Sequence, residues 1–299
     1  MERIPGPSAA LSRLSWFLSQ VIAIAFSLSC STASAEAERI VFDWAHAFAS
    51  TPVIESLAYQ VVGQVTDPRV KAERIYEAIL ALKHYGAIEG DRDNTPKARA
   101  PKSAAELLTI ALTQGVLERR AGCYELAILY VAVARSVGLD ALGIERVDPM
   151  GTGQIGHVMA AVRTEAQALL IFDLQSEQRR SLGAYRRLSD RELAAHHYNH
   201  AAIAAFLHEQ APQALMNIDR ALVLAPFNAS FVNNRASILA FEGDYPAAVA
   251  EATQAVNWSP AVPLYRYQLG RLLFNVGRFE AAAESLRAAL ALRPSYALA

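Results

Sequence analysis

The chain has 299 residues, 53% of them hydrophobic and 19% charged, with a formal net charge of −1 and two cysteines. That composition excludes a disordered chain and supplies apolar surface for the cores of one or two domains. Near-neutral charge gives no reason to expect nucleic acid or an anionic membrane as partner, and two cysteines make neither a disulfide scaffold nor a thiolate zinc site.

Arg3 and Arg13 precede an apolar run from Trp16 to Leu28, and small residues follow, ending Ala33-Ser34-Ala35 before Glu36. A basic start, a short apolar centre and an A-x-A site predict a secretory signal peptide over residues 1–35. The run is about 13 residues, short of the roughly 20 that cross a bilayer. The expected location is the periplasm or the exterior after cleavage. The alternative is a lipoprotein anchored at Cys30, with Ser27-Leu28-Ser29-Cys30 as its lipobox; Leu28 stands two residues before the cysteine where such boxes place it three before. Membrane attachment is expected only in that case. Either way Cys123 is the one thiol of the folded chain.

Asp67-Pro68 opens a helix, with Asp67 as cap and proline in the first turn. Val70, Ile75, Tyr76, Ile79, Leu80 and Leu82 carry helical spacing to about Tyr85. Residues 89–102 read as an exposed charged loop and 103–113 as a second helix. Gly122-Cys123 then leads into an apolar helix that stops at Gly138. A cysteine at a helix start meets the positive end of the helix dipole, which favours a thiolate. Downstream, 156–162 and 169–174 read as two strands joined by the polar turn 163–167, a hairpin. Cys123, His157 and Asp173 supply a nucleophile, a base and an orienting group.

At these residues the chain resembles the transglutaminase-like superfamily, over about 66–175. Gly122-Cys123 through Ala134-Arg135-Ser136-Val137-Gly138-Leu139 matches the nucleophile helix, Gly156-His157 the base strand and Phe172-Asp173 the orienting strand. The resemblance implies a papain-type core of helix against sheet and the Cys–His–Asp roles. Met159 departs from it, standing where an aromatic is common. A cofactor is not implied.

His196, His197 and His200 cluster beyond the core. His196 and His200 share a helix face at a spacing that can hold a metal, but His197 stands where a zinc protease signature needs Glu. They are read as helix-surface or interdomain residues, and no metal site is expected. Arg179, Arg180, Arg186, Arg187 and Arg191 read as a solvated connector, or alternatively as an anion-binding rim.

The last third is periodic. Pro226, Pro260 and Pro294 stand 34 residues apart, as do Ala214, Ala248 and Ala282, and Ala221, Ala255 and Ala289. Gly243 and Gly277 mark turns between paired helices, while Glu209-Gln210 occupies the equivalent place in the first unit. This pattern resembles tetratricopeptide repeats, three of them over about 195–297. Such repeats bind rather than catalyse. Asn199 and Asn233, equivalent positions on first helices, face the concave groove in that family and are candidate peptide-binding residues; hydrogen-bonding spacers between repeats are the alternative.

The sequence thus predicts an α+β protein: a signal peptide at 1–35, a transglutaminase-like domain at 36–192 and an all-α tetratricopeptide repeat domain at 193–299. The expected function is a cysteine peptidase or amide hydrolase acting on a protein or peptide, with a protein partner on the repeats. The alternatives are a protein-crosslinking acyltransferase and a non-catalytic scaffold of the cell envelope.

Overall fold

A computed structural model describes residues 46–84, 89–90, 104–105, 108, 120–147, 157–177 and 184–294. The signal peptide with Cys30, most of the 89–102 loop, most of the 103–113 helix and the pair Arg179 and Arg180 lie outside the described residues.

After a single 3-10 turn at His46–Phe48 come two helices, α1 (Pro52–Val62) and α2 (Pro68–His84), each with proline in its first turn. Asp67 caps α2 as expected, its Oδ1 accepting the N–H groups of Arg69 and Val70 at 2.8 and 3.2 Å. The two-residue strands β1 (Glu89–Gly90) and β2 (Arg120–Ala121) pair in parallel, so strand structure opens the segment read as a loop. Helix α3 (Cys123–Ser136) is buried at every residue from Cys123 to Ala134. A helix apolar on all sides belongs inside a core. Each Leu, Ile or Val on it that leaves water contributes about 1.5–3 kcal/mol.

Helix α3 lies on a four-stranded antiparallel sheet, β3 (Ala141–Val147), β4 (Val158–Arg163), β5 (Leu169–Phe172) and β6 (Ala184–Leu188), in the order β5-β4-β3-β6. Alternation along β4 sends Val158, Ala160 and Val162 into the core with α3, and Met159 and Ala161 into a separate cluster with Leu142 and Ile144. Met159 is therefore packing material of the sheet. The β4–β5 turn falls one residue later than the predicted 163–167, Arg163 still belonging to β4, and is closed by Thr164 N–H donating to Ala168 O at 2.9 Å.

Strand β6 and the following helix correct the reading of the arginine cluster. Arg186 faces Glu145 directly across the β3–β6 ladder and donates to it at 2.7 Å through Nη2. Its Nη1 meets Glu192. Arg191 donates to Val223 O at 2.8 Å. Arg186 and Arg191 thus serve internal acceptors rather than an anion rim, while Arg187 is exposed, as a solvated connector would have it.

Six helices complete the chain: α4 (Asp190–Leu207), α5 (Ala211–Leu224), α6 (Ala229–Phe241), α7 (Tyr245–Trp258), α8 (Pro263–Asn275) and α9 (Phe279–Leu292). They form three hairpins. The periodic alanines are buried at the helix–helix contacts, Ala214, Ala221, Ala248 and Ala255 with no exposed surface. Ala202, Ala236 and Gly270 add a further small position at the same period; a Cβ on Gly270 would stand 2.7 Å from Leu286 Cγ. Each hairpin turns through the same left-handed residue, Glu209 (φ 58), Gly243 (φ 85) and Gly277 (φ 78). The next N–H reaches back to the first helix each time: Gln210 to Ala205 O, Asp244 to Leu239 O and Arg278 to Leu273 O, at 2.9–3.0 Å. This is the Schellman ending, which satisfies carbonyls a terminating helix leaves bare.

Helix α4 belongs to both parts. Its N-terminus is capped by Ser189 with Glu192 reciprocating. Arg135 at the end of α3 grips Asp190 with two donors at 2.6 and 2.9 Å. Leu193 lies so close over β3 that a Cβ on Gly143 would be 2.7 Å from its Cδ2. His196 and His197 are buried, which places the histidines between core and repeats rather than on a helix surface. Burial pushes the His200 imidazole down to about 3 and lowers that of His196. The rings of His197 and His200 pack on Tyr124 of α3, at 5.5 and 4.7 Å.

Candidate active site

Cys123 is the first residue of α3, and Gly122 before it is the N-cap, with extended backbone at φ −76 and ψ 172. The Glu125 carboxylate accepts the Gly122 N–H at 2.9 Å, tying the cap to the first helical turn. A side chain at 122 would meet the Tyr124 ring at 3.2 Å. The Cys123 sulfur is thus fixed at the positive end of the α3 dipole.

His157 immediately precedes β4, and its carbonyl continues the ladder by accepting the Arg146 N–H at 2.9 Å. Asp173 immediately follows β5, the neighbouring antiparallel strand, so the two residues stand at the same end of the sheet. His157 Nε2 and Asp173 Oδ2 are 2.9 Å apart. The Cys123 side chain acts on the same imidazole and helps to raise it. With Nε2 engaged by Asp173, Nδ1 is the ring nitrogen left for sulfur. Residues 50 positions apart in sequence therefore form one chain of contacts, Cys123 to His157 to Asp173.

The electrostatics follow from these contacts. Burial alone would disfavour a charged ring, but hydrogen bonds to Asp173 and Cys123 outweigh it and push the His157 imidazole up to about 10. Burial would likewise raise the Asp173 carboxyl, yet the bonds from His157 and Ser176 hold it below its ordinary value. An ionised carboxylate beside a protonated ring is the stable state at neutral pH.

The strand end carrying Asp173 is pinned from two sides. Phe172 stacks on Tyr130 of α3 at 5.0 Å and contacts Tyr76 of α2 at 5.3 Å. Lys83 near the end of α2 donates to Leu174 O and Gln175 O, both at 3.0 Å, and pairs with Glu177 at 2.8 Å. The turn residue Ser176 donates its hydroxyl to Asp173 Oδ2. Sequence reasoning missed Lys83 and Ser176. Asp173-x-x-Ser176 after a strand is a turn spacing that would have signalled the serine, whereas nothing local ties Lys83 to residues 91 positions away.

The two repeat asparagines do not join this group. Asn199 is 5% exposed and its carboxamide oxygen accepts from Asn234 Nδ2 of the next repeat at 2.8 Å. That bond is of the spacer kind. Asn233 is equally buried, and its Oδ1 has no partner among the described residues. No group of three or more His, Cys, Asp or Glu side chains suited to a metal occurs among the described residues. None of the described helices is long and apolar enough to cross a membrane.

Comparison with known proteins bears on the repeats. The tetratricopeptide repeat family matches residues 264–296, so the chain carries such a repeat near its C-terminus. Among solved structures, the Arabidopsis OM64 TPR domain is 22% identical over 36% of this chain and 89% of its own length, with a TM-score of 0.35. The first TPR of Spaghetti (RPAP3), bound to HSP90 peptide SRMEEVD, is 18% identical over 35% of this chain and 82% of its own, with a TM-score of 0.34. The Sgt2 TPR domain from Aspergillus fumigatus is 21% identical over 34% and 67%, with a TM-score of 0.33. No curated protein matches the chain.

Proposed function

We propose that the protein is an exported transglutaminase-like thiol enzyme, a cysteine peptidase or amide hydrolase, whose repeats hold a protein partner or substrate. The observation that carries this reading is the convergence of Cys123, His157 and Asp173 into one group of interacting side chains at the end of a sheet with an apolar helix packed on it. The export signal, the helix-start cysteine and the order Cys–His–Asp support it independently.

In the proposed reaction the Cys123 thiolate attacks an amide carbonyl carbon, and the carbonyl oxygen takes the negative charge beside the N-terminus of α3. Protonated His157 gives its proton to the leaving amine as the C–N bond breaks, leaving a thioester on Cys123. The now neutral imidazole takes a proton from water, whose oxygen attacks the thioester and releases the acid and the thiolate. Asp173 keeps Nε2–H pointed away from sulfur and stabilises the ring when it is charged. A lysine amine in place of water gives a crosslink by the same steps, which makes the acyltransferase a variant of this site.

A second reading is a non-catalytic scaffold, and the burial of the thiol favours it: Cys123 is only 2% exposed. One measurement separates the two. Iodoacetamide labels Cys123 of the native enzyme at pH 5–6 faster than a free model thiol, and His157→Ala slows that labelling at least tenfold. Labelling that occurs only after unfolding assigns the core to the scaffold. For the repeats, the full chain with Asn233→Ala captures less of its envelope partner than the parent; equal capture moves the contact away from that position.

A further inference from the structure

The Asp173 carboxylate is held by more than its histidine. Its Oδ1 accepts the Gln175 and Ser176 N–H groups at 3.1 and 3.0 Å. Its Oδ2 accepts both His157 Nε2–H, at 2.9 Å, and the Ser176 hydroxyl. The two N–H bonds belong to the turn and are open to almost any residue there. The hydroxyl bond is different, because it depends on the side chain and lands on the same oxygen as the imidazole.

We propose that Ser176 is a positioning residue for the Cys123–His157 pair, acting through Asp173 Oδ2; this rests on the thiol-enzyme reading above. An ionised carboxylate only accepts, so the serine hydroxyl must donate. Two donors on Oδ2 fix the direction in which that oxygen meets the ring, and they keep the carboxylate ionised. The ring is thereby kept with Nε2–H on Asp173 and its other nitrogen toward sulfur. Ser176 lies in an exposed turn that Lys83 holds against α2, so the hydroxyl is presented by a fixed backbone although its residue is open to solvent.

The titratable and charged groups around this carboxylate among the described residues come from four places. They are Cys123 opening α3, His157 before β4, Lys83 on α2, and Glu177 in the turn itself, paired with Lys83. Lys83 bonds to the carbonyls of the turn rather than to Asp173. Ser176 is therefore the neutral side chain whose removal weakens the carboxylate without removing a charge.

The test is the pH profile of Cys123 alkylation by iodoacetamide, with the His157 imidazole 15N resonances followed in parallel, in the parent, Ser176→Ala, Ser176→Thr and His157→Ala. Ser176→Ala lowers labelling at pH 5 about three- to tenfold and leaves the rate at pH 8 within twofold. It also moves the His157 titration down by about half a unit to one unit, one unit being the tenfold step of a protonation equilibrium. Ser176→Thr, which keeps the hydroxyl, restores both. A Ser176→Ala profile that superimposes on the parent overturns the proposal, as does a folded Ser176→Thr that behaves like Ser176→Ala. If His157→Ala leaves labelling unchanged, the thiol-enzyme reading itself falls, and with it the role of Ser176.

Discussion

Replacing Glu209 by glycine should make the protein more stable, although it deletes a side chain. Glu209 ends α4 at φ 58, the position that Gly243 and Gly277 hold at φ 85 and 78 in the two later hairpins. A residue with a Cβ in the left-handed region costs about 1–2 kcal/mol. Glycine removes that cost but gives the unfolded chain about 0.4–1 kcal/mol of extra freedom. The balance is a gain of about 0.5–1 kcal/mol, worth about 1–4 °C in Tm for a chain of this size. Urea unfolding and calorimetry of Glu209→Gly measure it. The reverse exchange, Gly243→Ala, is the control. A Cβ at 243 meets nothing within 4 Å, so its cost is the same balance reversed, about 0.5–1 kcal/mol. If Glu209→Gly destabilises while Gly243→Ala also destabilises, the equivalence of the three turns is refuted, and the Glu209 side chain does something the later repeats do without.

Three other outcomes follow from the packing and the charges. Gly143→Ala should cost about 1–3 kcal/mol through collision with Leu193, read by urea unfolding; a change under about 0.3 kcal/mol would mean that α4 moves freely over the sheet. Arg186→Met should cost about 1–3 kcal/mol, since it strips the counter-ion from Glu145, which is 8% exposed, while the guanidinium itself is partly solvated. The stability that the His157–Asp173 pair contributes should be greatest at mildly acidic pH. His157, raised from 6.5 to about 10, contributes fully below pH 6.5 and loses its contribution as pH rises through about 10. Asp173, lowered from 3.8, contributes above that value and loses its contribution as pH falls through its depressed folded value. The stability gap between the parent and Asp173→Asn should therefore be widest between about pH 4 and 6.5; a gap that is flat from pH 4 to 10 would count against the pairing.

The parts of this molecule that could be read in its sequence are those where chemistry or period leaves a local trace. Cysteine after glycine at a helix start, histidine and aspartate bracketing a hairpin, and alanines and prolines every 34 residues all do so. Strands β3 and β6 did not. Gly143 and Glu145 interrupt the apolar alternation of β3, each for a tertiary reason: Gly143 makes room for Leu193, and Glu145 receives Arg186. Strand β6 reads as a charged connector for the matching reason, since Arg186 is paired with Glu145, 41 residues away on β3. Helix α4 hides its role by being buried both against the sheet and against the repeats, through Leu193 on one side and Tyr198 and Ala202 on the other. The triad residues were visible together, His157 and Asp173 as the two ends of the β4–β5 hairpin and Cys123 at the start of α3.

The doubled role of α4 sets a direction on the whole molecule. A repeat hairpin can be gained or lost at the α9 end with only its neighbour disturbed, as in any solenoid. At the Asp190 end no such edit is neutral, because the first helix of the first repeat is also a wall of the room that holds Cys123. Lengthening, trimming or exchanging the recognition surface is therefore an operation on its far end alone. A ligand that stiffens the repeats would press through α4 on Tyr124, the residue after Cys123.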